Sequence, residues 1–450
     1  MASIANEALP ILVLFAPAFS PPTFARAQLL AVAAILTTGR RTVSNLLRTL
    51  AHLQQGASSN YHRVLSRAHW SGLQLARLLL AFLIRRFFPT GTILLVGDDT
   101  VCEHPGEKVY GKARHRDAVR SSHSYTAWRW GHKWVVLAVL VRFPFSSRPW
   151  ALPVLTALYR SPQDNKKRGR THKTPAQLMQ LLLRIVLRWF PDRQFRFAGD
   201  AGFASHETAH FAQKRHRQLA LVSKFHPKAN LYEAAPVVLG KKPNGRPRQK
   251  GAKMPSPAEV VASGAARTRL NVAWYGGGRR EVEVVSEVGW WYKAGVGLVA
   301  VRWVYVHDKS GTHRDDYLYS TDVSLTAQDI IETYTQRWNI ETTFEEARAY
   351  LGVETTRGHC QKTVQRAEPM LLGMYSVVAL LYEQLPAGAQ GQGSVEWEGK
   401  TTVTFSDAIS AVRRWLWAEW VFPQAGHEQA FAKLPQPLRQ ALLYALAPAA

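Results

Sequence analysis

The chain has 450 residues, with 57 lysines and arginines against 32 aspartates and glutamates, and so a formal charge of +25. That balance favours a polyanionic partner, nucleic acid or an anionic membrane surface, while 46% hydrophobic and 11% aromatic residues exclude a disordered basic tail and leave material for about two to four domains. Only Cys102 and Cys360 occur, which excludes a disulfide framework and a paired-cysteine zinc site and fits a reducing cytoplasm.

In chain order, the apolar run Ile11 to Phe19 is short, follows Glu7 and is interrupted by Pro17, so neither a signal peptide nor a membrane span is expected. Thr23 to Phe88 carries helical periodicity with polar breaks, predicting several short helices that expose Arg40, Arg41, Arg48, Arg63 and Arg67. Helix-turn-helix-like DNA binding and an ordinary helical cap are equally open there. From Thr92 the pattern turns α/β. Ile93 to Val96 reads as a buried strand ending in Gly97-Asp98-Asp99-Thr100, Trp134 to Phe145 as a second, Pro175 to Phe190 as an amphipathic helix, and Gln194 to Phe197 as a strand ending before Asp200. The stretch Gly106 to Ala113 approaches a phosphate-binding loop but lacks its hydroxyl, so its basic residues Lys108, Lys112, Arg114 and Arg116 face water or follow a DNA backbone. His104, His115, His123 and His132 have no metal-ligand spacing and are expected at the surface.

Beyond Arg215, β-branched and aromatic runs predict strands over Leu219–Ser223, Thr268–Trp274, Glu281–Val285, Val296–Val306 and Tyr317–Ser320. Between them lies a basic Pro/Gly-rich loop. Its Gly245-Arg246-Pro247-Arg248 has the form of a minor-groove hook, or is simply a solvated basic loop. Helices follow over Pro369–Leu385 and Ser406–Trp420, joined by a link at Ala387–Gly393. The expected division is a helical DNA-binding segment (1–90), a core in two parts (91–215 and 326–385), a β-rich insertion (216–325) and a C-terminal linker with helices (386–450).

The most informative segment runs from Tyr334 to Arg348. Tyr334, Arg337, Glu341 and Arg348 are spaced by three, four and seven residues, within an arc of about 60° at roughly 100° per residue. Ile340, Phe344 and Leu351 flank this stripe; Thr335, Gln336, Asn339, Thr343 and Glu346 are expected on the wet face. Asp98 and Asp200, each read as lying just past a strand, sit where an α/β sheet offers ligands its carboxyl ends. Three acids brought together resist ionisation unless a cation joins them, and oxygen-only ligation suits Mg²⁺ or Mn²⁺. Two such ions could serve in-line phosphodiester displacement.

These motifs resemble those of bacterial insertion-sequence transposases of the DDE type, in the group marked by a Y-R-E-K signature. Asp98-Asp99-Thr100 matches the first-strand motif, Gly199-Asp200-Ala201-Gly202 the second, and Tyr334, Arg337 and Glu341 the third; the signature lysine is Arg348 here. The resemblance spans about residues 91 to 380. It implies an RNase H-like core interrupted by a β-rich insertion, with two metal ions held by Asp98, Asp200 and Glu341. Tyr334, Arg337 and Arg348 would then contact DNA phosphates. It also implies a homodimer on double-stranded DNA (terminal inverted repeats and target) in the cytoplasm, associated with the nucleoid. Asp99 competes for the first acid and Glu345 is the alternative third. A base flipped onto Trp290 or Trp291 is a further implication. A non-catalytic DNA-binding derivative and a nuclease that cuts without joining are the alternative readings.

Overall fold

The computed structural model describes residues 10–117, 121, 124–236, 248–390, 398, 400 and 402–448. Five helices come first: α1 (Pro10–Val13), α2 (Pro21–Leu36), α3 (Val43–Thr49), α4 (Ser58–Ser66) and α5 (Gly72–Phe87). Then follow β1 (Ile93–Glu103), β2 (Ala113–Arg116), β3 (Trp128–Val141), β4 (Trp150–Tyr159), α6 (Pro162–Lys167), α7 (Pro175–Trp189), β5 (Phe195–Gly199), α8 (His206–Gln213) and β6 (Leu219–Lys224). The next segment holds β7 (Leu231–Tyr232), α9 (Pro257–Ala262), β8 (Thr268–Ala273), β9 (Arg279–Lys293), β10 (Gly297–Asp308) and β11 (Asp316–Ser320). The chain closes with α10 (Ala327–Gln336), α11 (Asn339–Leu351), α12 (Gln361–Gln384), α13 (Ala387–Gln390), α14 (Phe405–Leu416), α15 (Phe422–Gln424), α16 (Glu428–Lys433) and α17 (Gln436–Leu446). This is the mixed α/β class expected, with helices at both ends.

The strands form one mixed sheet in the order β2-β3-β1-β5-β6-β11-β10-β9-β7, with β4 also on β3 and β8 also on β9. β1 pairs antiparallel with β3 and parallel with β5, and β5 is parallel to β6. The β-rich segment continues the same sheet through the antiparallel pair β6/β11, where Leu318, Tyr319 and Ser320 face Lys224, Ser223 and Val222. Trp134 to Val141 of β3 is an unbroken apolar run because the strand is buried on both sides: α7 packs on one face, and on the other α11 and α12 lie over the neighbouring β4, with Trp134 bonded to Glu368 of α12. Capping residues set the helix starts: Thr174 and Gln177 close a capping box on α7, and Thr326 and Asp329 on α10.

Several expectations need correction. Asp98 lies inside β1, which runs to Glu103, since Thr100 and Cys102 alternate inward and keep the strand paired to β3. The Tyr334–Arg348 stripe is divided between α10 and α11, with a tightened turn at Arg337–Trp338 whose amides bond three residues back. The face expected to be wet is largely buried: Thr343 donates to the Ala151 carbonyl (2.8 Å), Asn339 accepts from Arg148 (3.0 Å) and Glu346 accepts from Tyr375 (2.7 Å). α11 is sandwiched between the sheet and α12, so both of its sides meet protein. α12 starts eight residues earlier than expected, carrying Pro369 within it, and Ala387–Gln390 of the expected link is a short helix. Arg41 is buried, whereas Arg40, Arg48, Arg63 and Arg67 are exposed. His104, His115 and His132 are buried; His123 lies outside the described residues.

Candidate active site

Strand alternation decides which groups meet. On β1, Asp98 stands opposite Val136 and Thr100 opposite Trp134, so both point to the face roofed by α11 and α12. Asp99 points the other way, as does Gly97, where an added Cβ would strike Met179 of α7. The Asp99 carboxylate pairs there with Lys133 (2.8 Å). The parallel register Gly97–Gly199 then sets Asp200, the first residue after β5, beside Asp98. Asp200 caps the following turn by accepting from the Gly202 amide (2.9 Å), and Ser223 donates to its carbonyl (2.9 Å).

Arg337 occupies the centre. Its guanidinium donates to Asp98 Oδ2 at 3.0 Å and to Glu341 Oε1 at 2.9 Å, and its side chain is only 9% exposed. Its Nε is buried without a partner. Burial first, and the neighbouring Asp200 next, push the Asp98 carboxyl up to about 7 against the pull of Arg337. Asp99 is also raised, chiefly by burial, with Lys133 opposing. Tyr334 is buried beneath the guanidinium, 5.6 Å from its ring centre, and burial raises its phenol.

The structure therefore brings Asp98, Asp200, Tyr334, Arg337 and Glu341 to one place, with Glu341 joined to Asp98 through a cation and not directly. Arg348 lies further along the same face, donating to Thr100 Oγ1 and pairing with Glu354 (3.0 Å), which holds a left-handed backbone at φ 83°. Glu345, one turn beyond Glu341 on the same side of α11, is exposed. Arg246 lies outside the described residues, and Arg248 is exposed. The Trp291 ring packs among His206, Phe225 and Tyr319, with centroids 4.8, 5.1 and 5.6 Å away, while Trp290 is half-buried. Sequence reasoning named Thr100 only as part of the first-strand motif and missed Lys133 and Glu354. Lys133 faces Val101, two residues from the position opposite Asp99 and on the same side of the sheet, a register that only the folded strands display.

Among the described residues, no group of three or more His, Cys, Asp or Glu side chains is already gathered as metal ligands. The donor chemistry nevertheless fits a hard divalent cation: adjoining carboxylates burden one another with charge, and Asp98 and Glu341 already share one positive group between them.

Comparison with known proteins follows this layout. The model of the DDE superfamily endonuclease family matches residues 14–281, a stretch that holds Asp98 and Asp200, and that of an "Archaeal putative transposase ISC1217" family matches residues 297–382, which hold Glu341. The chain belongs to the DDE superfamily endonucleases. No curated protein matches it. Among solved structures it is similar to a piggyBac transposase synaptic complex with hairpin DNA, determined by cryo-EM, at 11% identity over 99% of this chain and 82% of the other. The TM-score of 0.40 is too low for anything to be carried over from that likeness. No helix among the described residues is long and apolar enough to cross a membrane.

Proposed function

We propose that the protein is a DNA transposase that binds the ends of its element, hydrolyses phosphodiester bonds there and joins the 3′-hydroxyl ends to target DNA. The observation that carries this reading is that one guanidinium, Arg337, bonds both Asp98 of the sheet and Glu341 of α11 while the strand register sets Asp200 beside Asp98, in a chain of the DDE superfamily endonucleases. We read strands β1, β3, β4, β5 and β6 as an RNase H-like core, residues 216–325 as an insertion into it, and residues 1–90 as the DNA-binding segment. The Y-R-E-K signature is then carried by Tyr334, Arg337, Glu341 and Arg348.

Asp98, Asp200 and Glu341 would hold two Mg²⁺ or Mn²⁺ ions, which when bound activate the attacking oxygen and stabilise the leaving one. The chain itself supplies the rest. Arg337 and Arg348 offer planar donors to phosphate oxygens, Tyr334 fixes the guanidinium from beneath, and Lys133 keeps Asp99 turned away. The +25 charge draws the polyanion in by counterion release. Holding two ends for joining calls for a homodimer on double-stranded DNA.

The test is divalent-dependent cleavage of the element's own ends. Asp98→Asn, Asp200→Asn and Glu341→Gln each should lower cleavage by at least about a thousandfold while end binding stays measurable. Full cleavage by any one of them removes that residue from the site, and cleavage without joining would favour a simple nuclease.

A further inference from the structure

The face of the sheet that carries Asp98 does not end where its helical roof ends. On β3 the residues sharing that face are Val136, Trp134, His132, Trp130 and Trp128, in order away from Asp98. Trp134 and His132 are closed over by Glu368 of α12. Beyond them the roof stops, and Trp130 and Trp128 are 59% and 49% exposed. Large aromatic rings at neighbouring same-face positions of a strand are seldom left in water without a partner.

Their surroundings state the partner's chemistry. Across the ribbon, Arg114 stands opposite Trp130 and Arg116 opposite Trp128, both exposed. The Arg114 guanidinium lies 4.9 Å from the Trp128 ring centre and the Lys112 ammonium 5.8 Å from that of Trp130. Glu103, at the end of β1, and Asp117, just past β2, project from the opposite face, where Arg129 pairs with both (3.0 and 2.7 Å). Charge is thus sorted across the two faces, leaving the tryptophans among cations.

From this, the geometry points to a second nucleic-acid site: the β2–β3 ribbon binds unpaired DNA, its bases stacking on Trp128 and Trp130 and its phosphates meeting Lys112, Arg114 and Arg116. Stacking platforms interleaved with cations are what single strands require, because every base has a π-face and every linkage a charge. Trp130 is six residues along β3 from the position facing Asp98, about 20 Å at strand rise. A strand leaving the acids would reach the ribbon within about six nucleotides, the number set by duplex rise, and in fewer where it is extended. The inference deepens the reading above, resting on it only for the direction from which the strand arrives.

The test needs neither cleavage nor an element end. Full-length wild type, Trp128→Ala/Trp130→Ala and Trp128→Phe/Trp130→Phe would be titrated with a fluorescent dT20 oligonucleotide and with a blunt 20-base-pair duplex. The alanine pair is expected to lose roughly 5- to 150-fold in dT20 affinity per stacked base. Duplex affinity should stay within about threefold, and the phenylalanine pair should recover most of the loss. Unchanged dT20 binding, or an equal loss on both DNAs, overturns the proposal. So does dissociation of an oligomer in sedimentation with dT20 affinity intact, which would make the ribbon a contact between copies. If the alanine pair fails to fold, the Lys112→Gln/Arg114→Gln pair replaces it, and the same selective loss on dT20 is required.

Discussion

Arg337 sets a positive charge between Asp98 and Glu341, at the place where the proposed reading seats divalent cations. It neutralises Asp98 and Glu341 from a position with little water, so its removal leaves acids facing acids. Arg337→Ala should lower stability by about 2–4 kcal/mol. Mn²⁺ should recover more of that loss than it adds to wild type, as read by thermal melts with and without the ion. No gain from Mn²⁺ in the variant would separate Arg337 from the cation site. The spacing of four set Arg337 beside Glu341 even though the stripe is divided between α10 and α11, while Asp98 and Asp200 were read from the ends of apolar strand runs and from the motif resemblance. The bridge itself was not legible, since it depends on how α11 lies across β1. Elsewhere at this scale, burial first, with His132 adding repulsion and Glu368 opposing, lowers His104 to about 4; Arg357 and His359 also face it. His115 is lowered to about 4 by burial, then by Lys133 and His132. The unfolded chain takes up protons near 6.5 and these folded imidazoles do not, so their contribution to stability falls as pH drops from about 6.5 towards 4. Asp98 has the opposite slope. The readout is therefore the difference in urea midpoint between wild type and His104→Gln/His115→Gln, which should shrink as pH falls from 7 to 4.5; a constant difference would refute it.

At the scale of elements, the β1–β3 pair is the seam that holds the site. At Gly131 an added Cβ would lie 2.0 Å from the Cys102 carbonyl oxygen, backbone that cannot step aside without opening the ladder. Gly131→Ala should cost at least about 3 kcal/mol and lower cleavage with it; denaturant titration beside the cleavage assay checks both, and an unaffected melt would show that the seam has slack. Some strands were readable, while β2, β4 and β7 were not foreseen and β9 is three times its expected length. Val296–Val306 became Gly297–Asp308, and Tyr317–Ser320 became Asp316–Ser320, since β-branched and aromatic runs bounded by Gly and Asp leave few other choices. Faces were harder. Thr343 and Asn339 look solvated in a helix taken alone, and only the presence of both the sheet and α12 buries them. For the same reason Trp128 and Trp130 are indistinguishable by pattern from the buried Trp134, two residues further along the same face.

Across the whole molecule, both ends of the chain converge on the far end of α11. Arg41, from the N-terminal helices, and Arg413, from α14, both donate to the Tyr350 carbonyl in the last turn of that helix, just before the left-handed Gly352 ends it. Arg41 also bonds the Ala34 carbonyl and Arg413 that of Ile35, so α2 is tied in as well. Burial, with Arg413 adding repulsion for Arg41, lowers each guanidinium to about 10. The bonds to carbonyls at a helix C-terminus outweigh that repulsion. Arg413→Ala should lose about 3 kcal/mol, and Arg413→Met less, because the methylene stem still fills the space. Equal melting of Arg413→Met and wild type would mean that repulsion and bonding cancel.

That clasp sets an order of events during synthesis. The ribosome releases Arg41 early, α11 with Tyr350 much later, and Arg413 later still, so a nascent chain reaches a stage at which the end of that helix is bonded by Arg41 alone. On the proposed reading, a polypeptide stalled before α14 would carry Asp98, Asp200 and Glu341 but lack the second arginine that ties down the end of the helix bearing the third.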